Sequence, residues 1–189
     1  ETVMDYIEQF KQSAFITSKL LHTADVNLYD KKRRIDVERA IERALSEKSF
    51  RVNYQPIFDS EENRIVSCEA LIRLFDKQLG NIPPDEFIPI AEQNGSIMKI
   101  GKFVFEEACR FMRKGSATAL GIEYVQVNLS VVQCMQSGLV ESFVNIMDKY
   151  KIDPSQICLE ITETSAAYTP HIMEQNIKQL SEIGIKLAL

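Results

Sequence analysis

The sequence predicts an α/β chain, most of a parallel (β/α) barrel whose first strand runs against the others. Three observations carry this. Residues 1 to about 48 hold apolar side chains at helical spacing and almost no Gly or Pro. Two segments rich in β-branched and aromatic residues, 50–58 and 65–74, are separated only by polar residues 59–64. Beyond them helical and strand patterns alternate, the signature of βαβ units around a parallel sheet.

At the N-terminus the helical spacing is carried by Val3, Ile7 and Phe10, then by Ile35, Val37, Ile41 and Leu45. The run Lys31-Lys32-Arg33-Arg34 interrupts it and reads as a solvated junction between two helices. The connection 59–64 is too short for a crossover helix, so the first two strands pair as an antiparallel hairpin. Pro84 suits the first turn of a helix reaching about residue 93, and Gly95 ends it. Residues 99–114 form an amphipathic helix with Ile100, Phe103, Val104 and Phe111 inward, capped by Gly115. Strands follow at 124–129 and 157–161, with a helix at 138–150 between them. Thr169 is a candidate N-cap, with Pro170 at the first position of a helix ending near Gly184. Residues 185–189 begin a further strand. Eight strands close a TIM-like barrel, typically in about 250 residues, so the barrel is incomplete within this sequence. An open sheet edge exposes unpaired backbone groups and predicts pairing with a second copy, a homodimer.

The 189 residues, 45% hydrophobic and 26% charged, are ordinary for a globular domain with a real core. Twenty-two Lys and Arg stand against 27 Asp and Glu, and a net charge of -5 argues against a coat for a nucleic acid polymer. Cys68, Cys109, Cys134 and Cys158 lie in apolar segments without CxxC spacing, which fits reduced core thiols in a cytoplasmic protein. No segment has the ~20 apolar residues of a membrane span, so no membrane contact is expected of it. A larger parent protein could carry an anchor elsewhere.

Functional groups in βα sheets gather at the carboxyl ends of the strands. Three polar residues occupy such places. Glu69 lies in strand 65–74, where alternation sets Ser67, Leu71 and Arg73 on its face and Val66, Ala70 and Ile72 on the other. Asn128 closes strand 124–129, and Glu160 ends strand 157–161. Two carboxylates and an amide oxygen converging there make a hard donor set, suited to Mg²⁺ or Mn²⁺ more than to zinc. Taken singly, Asn128 also reads as a turn or cap residue, and each glutamate as half of an ion pair. Arg73 either pairs with Glu69 or grips a phosphate with its planar fork. His22 and His171 fall on helices away from these strand ends, which leaves no histidine for a Ser-His-Asp or Cys-His site.

The segment Glu69-Ala70-Leu71-Ile72-Arg73-Leu74 resembles the signature of the EAL family, the bacterial cyclic di-GMP phosphodiesterase domains. Four further blocks arrive in family order over residues 36–189: Tyr54-Gln55-Pro56-Ile57, then Phe87-Ile88-Pro89-Ile90-Ala91-Glu92. Val127-Asn128-Leu129-Ser130 with Gln133 and Glu160-Ile161-Thr162-Glu163 complete the set. The resemblance implies a TIM-like barrel with an antiparallel first strand. It makes Glu69, Asn128 and Glu160 metal ligands, with Glu69 catalytic, and gives Gln55, Leu71 and Arg73 to the cyclic dinucleotide, Arg73 on a phosphate. It further implies two metal ions, Mg²⁺ or Mn²⁺, that activate a water to give linear pGpG. The family's Asp-Asp pair, lysine, later glutamate and glutamine have no counterpart in these residues. The fragment alone is therefore expected to have no useful turnover. Ala24-Asp25, Leu28-Tyr29 and Lys32 resemble the last helix of a GGDEF domain, which divides the chain into a GGDEF-like tail with linker helix at 1–34 and the EAL portion at 35–189. Two functions compete: a cyclic di-GMP hydrolase, and a degenerate EAL domain that binds the dinucleotide or a partner without cleaving it. An unrelated βα-barrel metal enzyme is a distant third.

Overall fold

The computed structural model describes residues 30–161 and 171–188. A helix, α1, covers residues 30–47. Strands β1 (Arg51–Asp59) and β2 (Arg64–Asp76) follow, then the short β3 (Gly80–Ile82). Helices α2 (Pro84–Asn94), α3 (Ile97–Arg113) and α4 (Ser116–Ala119) lead to β4 (Tyr124–Leu129). After α5 (Val131–Cys134) and α6 (Leu139–Tyr150) a 3₁₀ turn precedes β5 (Ile157–Ile161); α7 (His171–Glu182) and β6 (Lys186–Ala188) close the described chain. Thr169 and Pro170, the expected start of α7, lie outside the described residues, as do His22 and the resemblance at Ala24-Asp25 and Leu28-Tyr29.

The sheet runs β1-β2-β4-β5-β6, with β3 paired to β2 off this path. β1 pairs antiparallel with β2, while β2, β4, β5 and β6 are mutually parallel. This is the expected parallel sheet with its first strand reversed. The turn that reverses it is set by Asp59, whose carboxylate accepts from the amides of Glu61 and Glu62 at 2.8 and 2.9 Å. Asn63 completes the turn in the left-handed region at φ 53°.

Helices cover one face of the sheet, and the core lies between them. Val125, Val127 and Leu129 of β4 and Ile157 and Leu159 of β5 are buried on that side. So are Ile100, Val104, Ala108 and Met112 of α3. α3 is buried on two sides, because Phe105 stacks on Phe143 of α6 with ring centroids 3.8 Å apart. Phe103 and Phe111, expected on its inner side, are partly buried on its flank instead. There Phe111 stacks on Tyr54 of β1, whose hydroxyl donates to the Glu107 carbonyl at 2.9 Å. All four cysteines are buried and free, as expected of core thiols.

The basic run lies in the first turns of the helix described from residue 30, and it is not wholly solvated. Arg33 donates from Nε and Nη2 to the two carboxylate oxygens of Glu86 at 2.6 and 2.9 Å, and Arg34 donates to the Gln93 side chain at 2.5 Å. Two of the four cations thus pin α1 to α2. Periodicity within one helix cannot show a partner 53 residues away.

Candidate active site

The open face of the sheet is set by register. Antiparallel pairing puts Gln55 of β1 opposite Glu69 of β2, and Asn53 opposite Leu71. Parallel pairing puts Gln126 of β4 beside Glu69, and Glu160 of β5 beside Asn128. Because successive residues alternate faces, Glu69, Leu71 and Arg73 project together with Gln126, Asn128 and Glu160. Their strand neighbours Ala70, Val127 and Leu159 are buried against the helices.

Two of the three expected oxygen ligands touch: Asn128 Nδ2 donates to Glu69 Oε1 at 2.7 Å. Glu160 stands on the next strand in register with Asn128, and its Oε2 accepts from the Gln126 side-chain amide. These bonds leave Oε2 of Glu69, Oδ1 of Asn128 and Oε1 of Glu160 without a protein partner among the described residues. Arg73 does not pair with Glu69; its Nη1 donates to the Ile72 carbonyl at 2.9 Å. Gln55 is exposed beside Glu69.

The exit of β4 is held rigidly. Ser130 caps α5: its hydroxyl accepts from the Gln133 amide at 3.4 Å, while its own amide donates to Gln133 Oε1 at 3.1 Å. Asn176 of α7, buried, donates to the carbonyls of Cys134 and Gln136 at 2.8 and 2.9 Å. These bonds fix the turn that follows Asn128. Gln126 and Asn176 were not singled out by sequence reasoning. Gln126 shares the alternation of Tyr124 and Asn128, the one signal that marks it; Asn176 has none, since its partners lie 42 and 40 residues away.

Leu71, Arg73 and Asn128 also line a cavity of about 470 Å³ that reaches along α2 past Ile88 and Pro89 to Gln133. A larger cavity, about 880 Å³, lies between the end of α1, α3 and α6 and holds none of these oxygens. Of these two cavities, only the strand-end one is lined by residues expected at the site.

The donor set suits a hard divalent cation. Mg²⁺ binds through one or two carboxylates plus waters and substrate phosphate, so two carboxylates and an amide oxygen are a fitting partial shell. No group of three or more His, Cys, Asp or Glu gathers among the described residues. The fit therefore depends on the amide.

Residues 38–189 match the family model described as EAL domain. The chain belongs to the EAL domain family. Among curated relatives, the bifunctional diguanylate cyclase/cyclic di-GMP phosphodiesterase MucR of Pseudomonas aeruginosa is 33% identical over 149 residues, 79% of this chain and 22% of MucR. The oxygen sensor protein DosP of Escherichia coli K12 is 31% identical over 158 residues, 84% of this chain and 20% of DosP. The chain thus spans about a fifth of the length of these relatives. Of solved structures, the MucR phosphodiesterase in its c-di-GMP complex superposes with a TM-score of 0.72 at 32% identity, covering 80% of this chain and 62% of that one. The FimX EAL domain of Xanthomonas citri, in complex with c-diGMP, superposes at 0.69 with 16% identity over 83% of this chain and 60% of its own, a likeness of fold alone. The expected TIM-like (β/α) architecture is the fold of these EAL domains. Among the described residues no helix is long and apolar enough to cross a membrane.

Proposed function

We propose that this chain is part of a cyclic di-GMP phosphodiesterase that hydrolyses the dinucleotide to pGpG with Mg²⁺ or Mn²⁺. The observation that carries the reading is the Glu69–Asn128 contact, with Glu160 in register beside Asn128 on the open strand face. Similarity to the MucR phosphodiesterase in its c-di-GMP complex supports the same substrate.

Glu69, Asn128 and Glu160 would hold the cation through the oxygens left without protein partners. Bound there, a divalent ion lowers the pKa of water and offsets charge growing on phosphoryl oxygens. The chain's own residues position the reactants. Asn128 orients Glu69 through the 2.7 Å bond, and Gln126 does the same for Glu160. Arg73 stands two residues beyond Leu71 on the same face, where its fork can hold a phosphate. Leu71 and Ile88 supply apolar wall for a base in the 470 Å³ cavity, and exposed Gln55 offers an amide to the dinucleotide from its place opposite Glu69. In the reaction a water oxygen bonds to phosphorus, the bond from phosphorus to the ribose oxygen breaks, and that oxygen leaves with a proton. The product is a linear dinucleotide with one terminal phosphate.

The test is chromatography of cyclic di-GMP incubated with the complete protein and Mg²⁺ or Mn²⁺. Appearance of pGpG supports the reading. Binding without pGpG under either metal overturns it in favour of a receptor domain. The GGDEF-like tail at 1–34, cytoplasmic location and a homodimer complete the proposal; light scattering that shows a monomer at high concentration excludes the last.

A further inference from the structure

Arg51 and Arg73 stand directly opposite each other across the antiparallel β1–β2 pair. Like charges so placed destabilise a strand pair unless something negative lies between them. Among the described residues neither has a carboxylate partner: Arg73 donates to its own neighbour's carbonyl, and Arg51 makes no hydrogen bond. Both line a cavity of about 760 Å³ between α1 and the paired ends of β1, β2 and β3, and Lys77 lines it too. Its other arginine, Arg43, is committed to Asp76 at 2.6 Å. The cavity therefore presents three cations, none of them paired with a carboxylate among the described residues, and one further acid, Glu47, on its α1 wall.

Phe75 lines the same cavity and is 64% exposed. It lies two residues beyond Arg73 on one strand face, about 6.6 Å along the strand, comparable to the reach of a nucleotide from phosphate to base. Guanidinium forks match phosphate oxygens, and an open aromatic ring accepts a base by stacking.

We propose that this cavity is a nucleotide subsite in which Arg51 and Arg73 grip one phosphate from two sides while Phe75 stacks the base attached to it. The inference rests on the proposed function, since it takes the ligand to be a cyclic dinucleotide whose other phosphate lies toward Glu69, Asn128 and Glu160. Arg51 and Phe75 are then binding residues that no part of the EAL signature marks.

Calorimetric titration of the complete protein with cyclic di-GMP in a chelator tests this without turnover. Arg51→Gln and Phe75→Ala are each expected to weaken binding at least about tenfold. Arg51→Glu is expected to abolish binding while melting no lower than wild type, because it places opposite charges across the strand pair. That combination is one that simple misfolding cannot produce. Wild-type affinity in both Arg51→Gln and Phe75→Ala overturns the subsite and leaves the proposed function standing. A wild-type protein that binds no cyclic di-GMP, with chelator or with either metal, overturns both.

Discussion

Asn128 Nδ2 lies 2.7 Å from Glu69 Oε1, so the carboxyl end of β4 is tied to the middle of β2 by an amide that spends its nitrogen and keeps its oxygen. Glu69→Gln preserves an acceptor for that nitrogen and removes only the charge. In the complete protein it is expected to lower pGpG formation by about 10²–10³-fold. Because Glu69 is only half-buried, stability should stay within about 0.5 kcal/mol of wild type. Product chromatography and a urea melt of the same sample check the pair of outcomes. Wild-type turnover in the variant would remove Glu69 from the chemistry.

Gly101 sits inside α3, where glycine usually costs about 0.5–1 kcal/mol relative to alanine. Here a Cβ would stand 1.8 Å from Gln133 Nε2 and 2.9 Å from its Cδ. Gln133 is 3% exposed and its Oε1 is engaged by the Ser130 amide, so swinging it aside breaks the cap that follows Asn128. Overpacking outweighs the propensity gain, and Gly101→Ala is expected to destabilise by about 1–3 kcal/mol. In a Gln133→Ala background the clash is gone and the same change should be neutral or stabilising. Urea unfolding of the four proteins in that cycle measures the coupling.

Much of this was legible in single strands and helices. β4 and β5 have the bounds read for them in the sequence, and the polar connection after β1 required the antiparallel hairpin. Alternation alone put Glu69, Leu71 and Arg73 on one face. What stayed hidden depends on a second element. β3 spans three residues, too few to show a period. Phe105 stayed outside the inward set read for α3 because nothing in that helix announces that α6 covers its other side. Arg33 looked solvated because its partner, Glu86, belongs to a distant helix. Gln126 became part of the site only through its register with Glu69 and its bond to Glu160, and register is a property of strand pairs.

Asp76 ends β2 and holds the turn into β3. Its carboxylate accepts from Arg43 at 3.0 and 2.6 Å and from the amides of Gln78 and Leu79 at 2.9 and 3.1 Å. Burial pushes its pKa up, but these donors together outweigh burial and hold it below the ordinary value of 3.8. A depressed folded pKa gives stability that is present above the unfolded value and lost as pH falls through the folded one. Asp76→Asn should therefore cost about 1–3 kcal/mol at neutral pH. It should also flatten the loss of stability below about pH 3.8. Melting temperatures of both proteins from pH 7 downward test this; parallel curves would mean that Asp76 carries no acid-linked stability.

The four cysteines make the opposite pH prediction. Burial pushes the thiol of Cys68 up to about 11, of Cys109 to about 12 and of Cys134 to about 11. For Cys158 burial also raises it, with Lys186 opposing. Raised folded values give stability that is whole below the unfolded thiol pKa of 9.0 and lost as pH climbs toward the folded values. Stability should fall between about pH 9 and 12, and Cys109→Ala, which removes the most strongly raised of the three thiols, should make that fall shallower. Alkylation needs a thiolate that reagent can reach, so at pH 8 in native buffer all four should resist. In rising urea their labelling should follow the unfolding curve measured by circular dichroism. A thiol that reacts in native buffer at the rate of a free cysteine would show that its strand or helix does not pack as described. Cys68 is the most telling of these, because it lies between Ser67 and Glu69 on β2, and its exposure would mean that the face opposite Glu69 is not held against the helices.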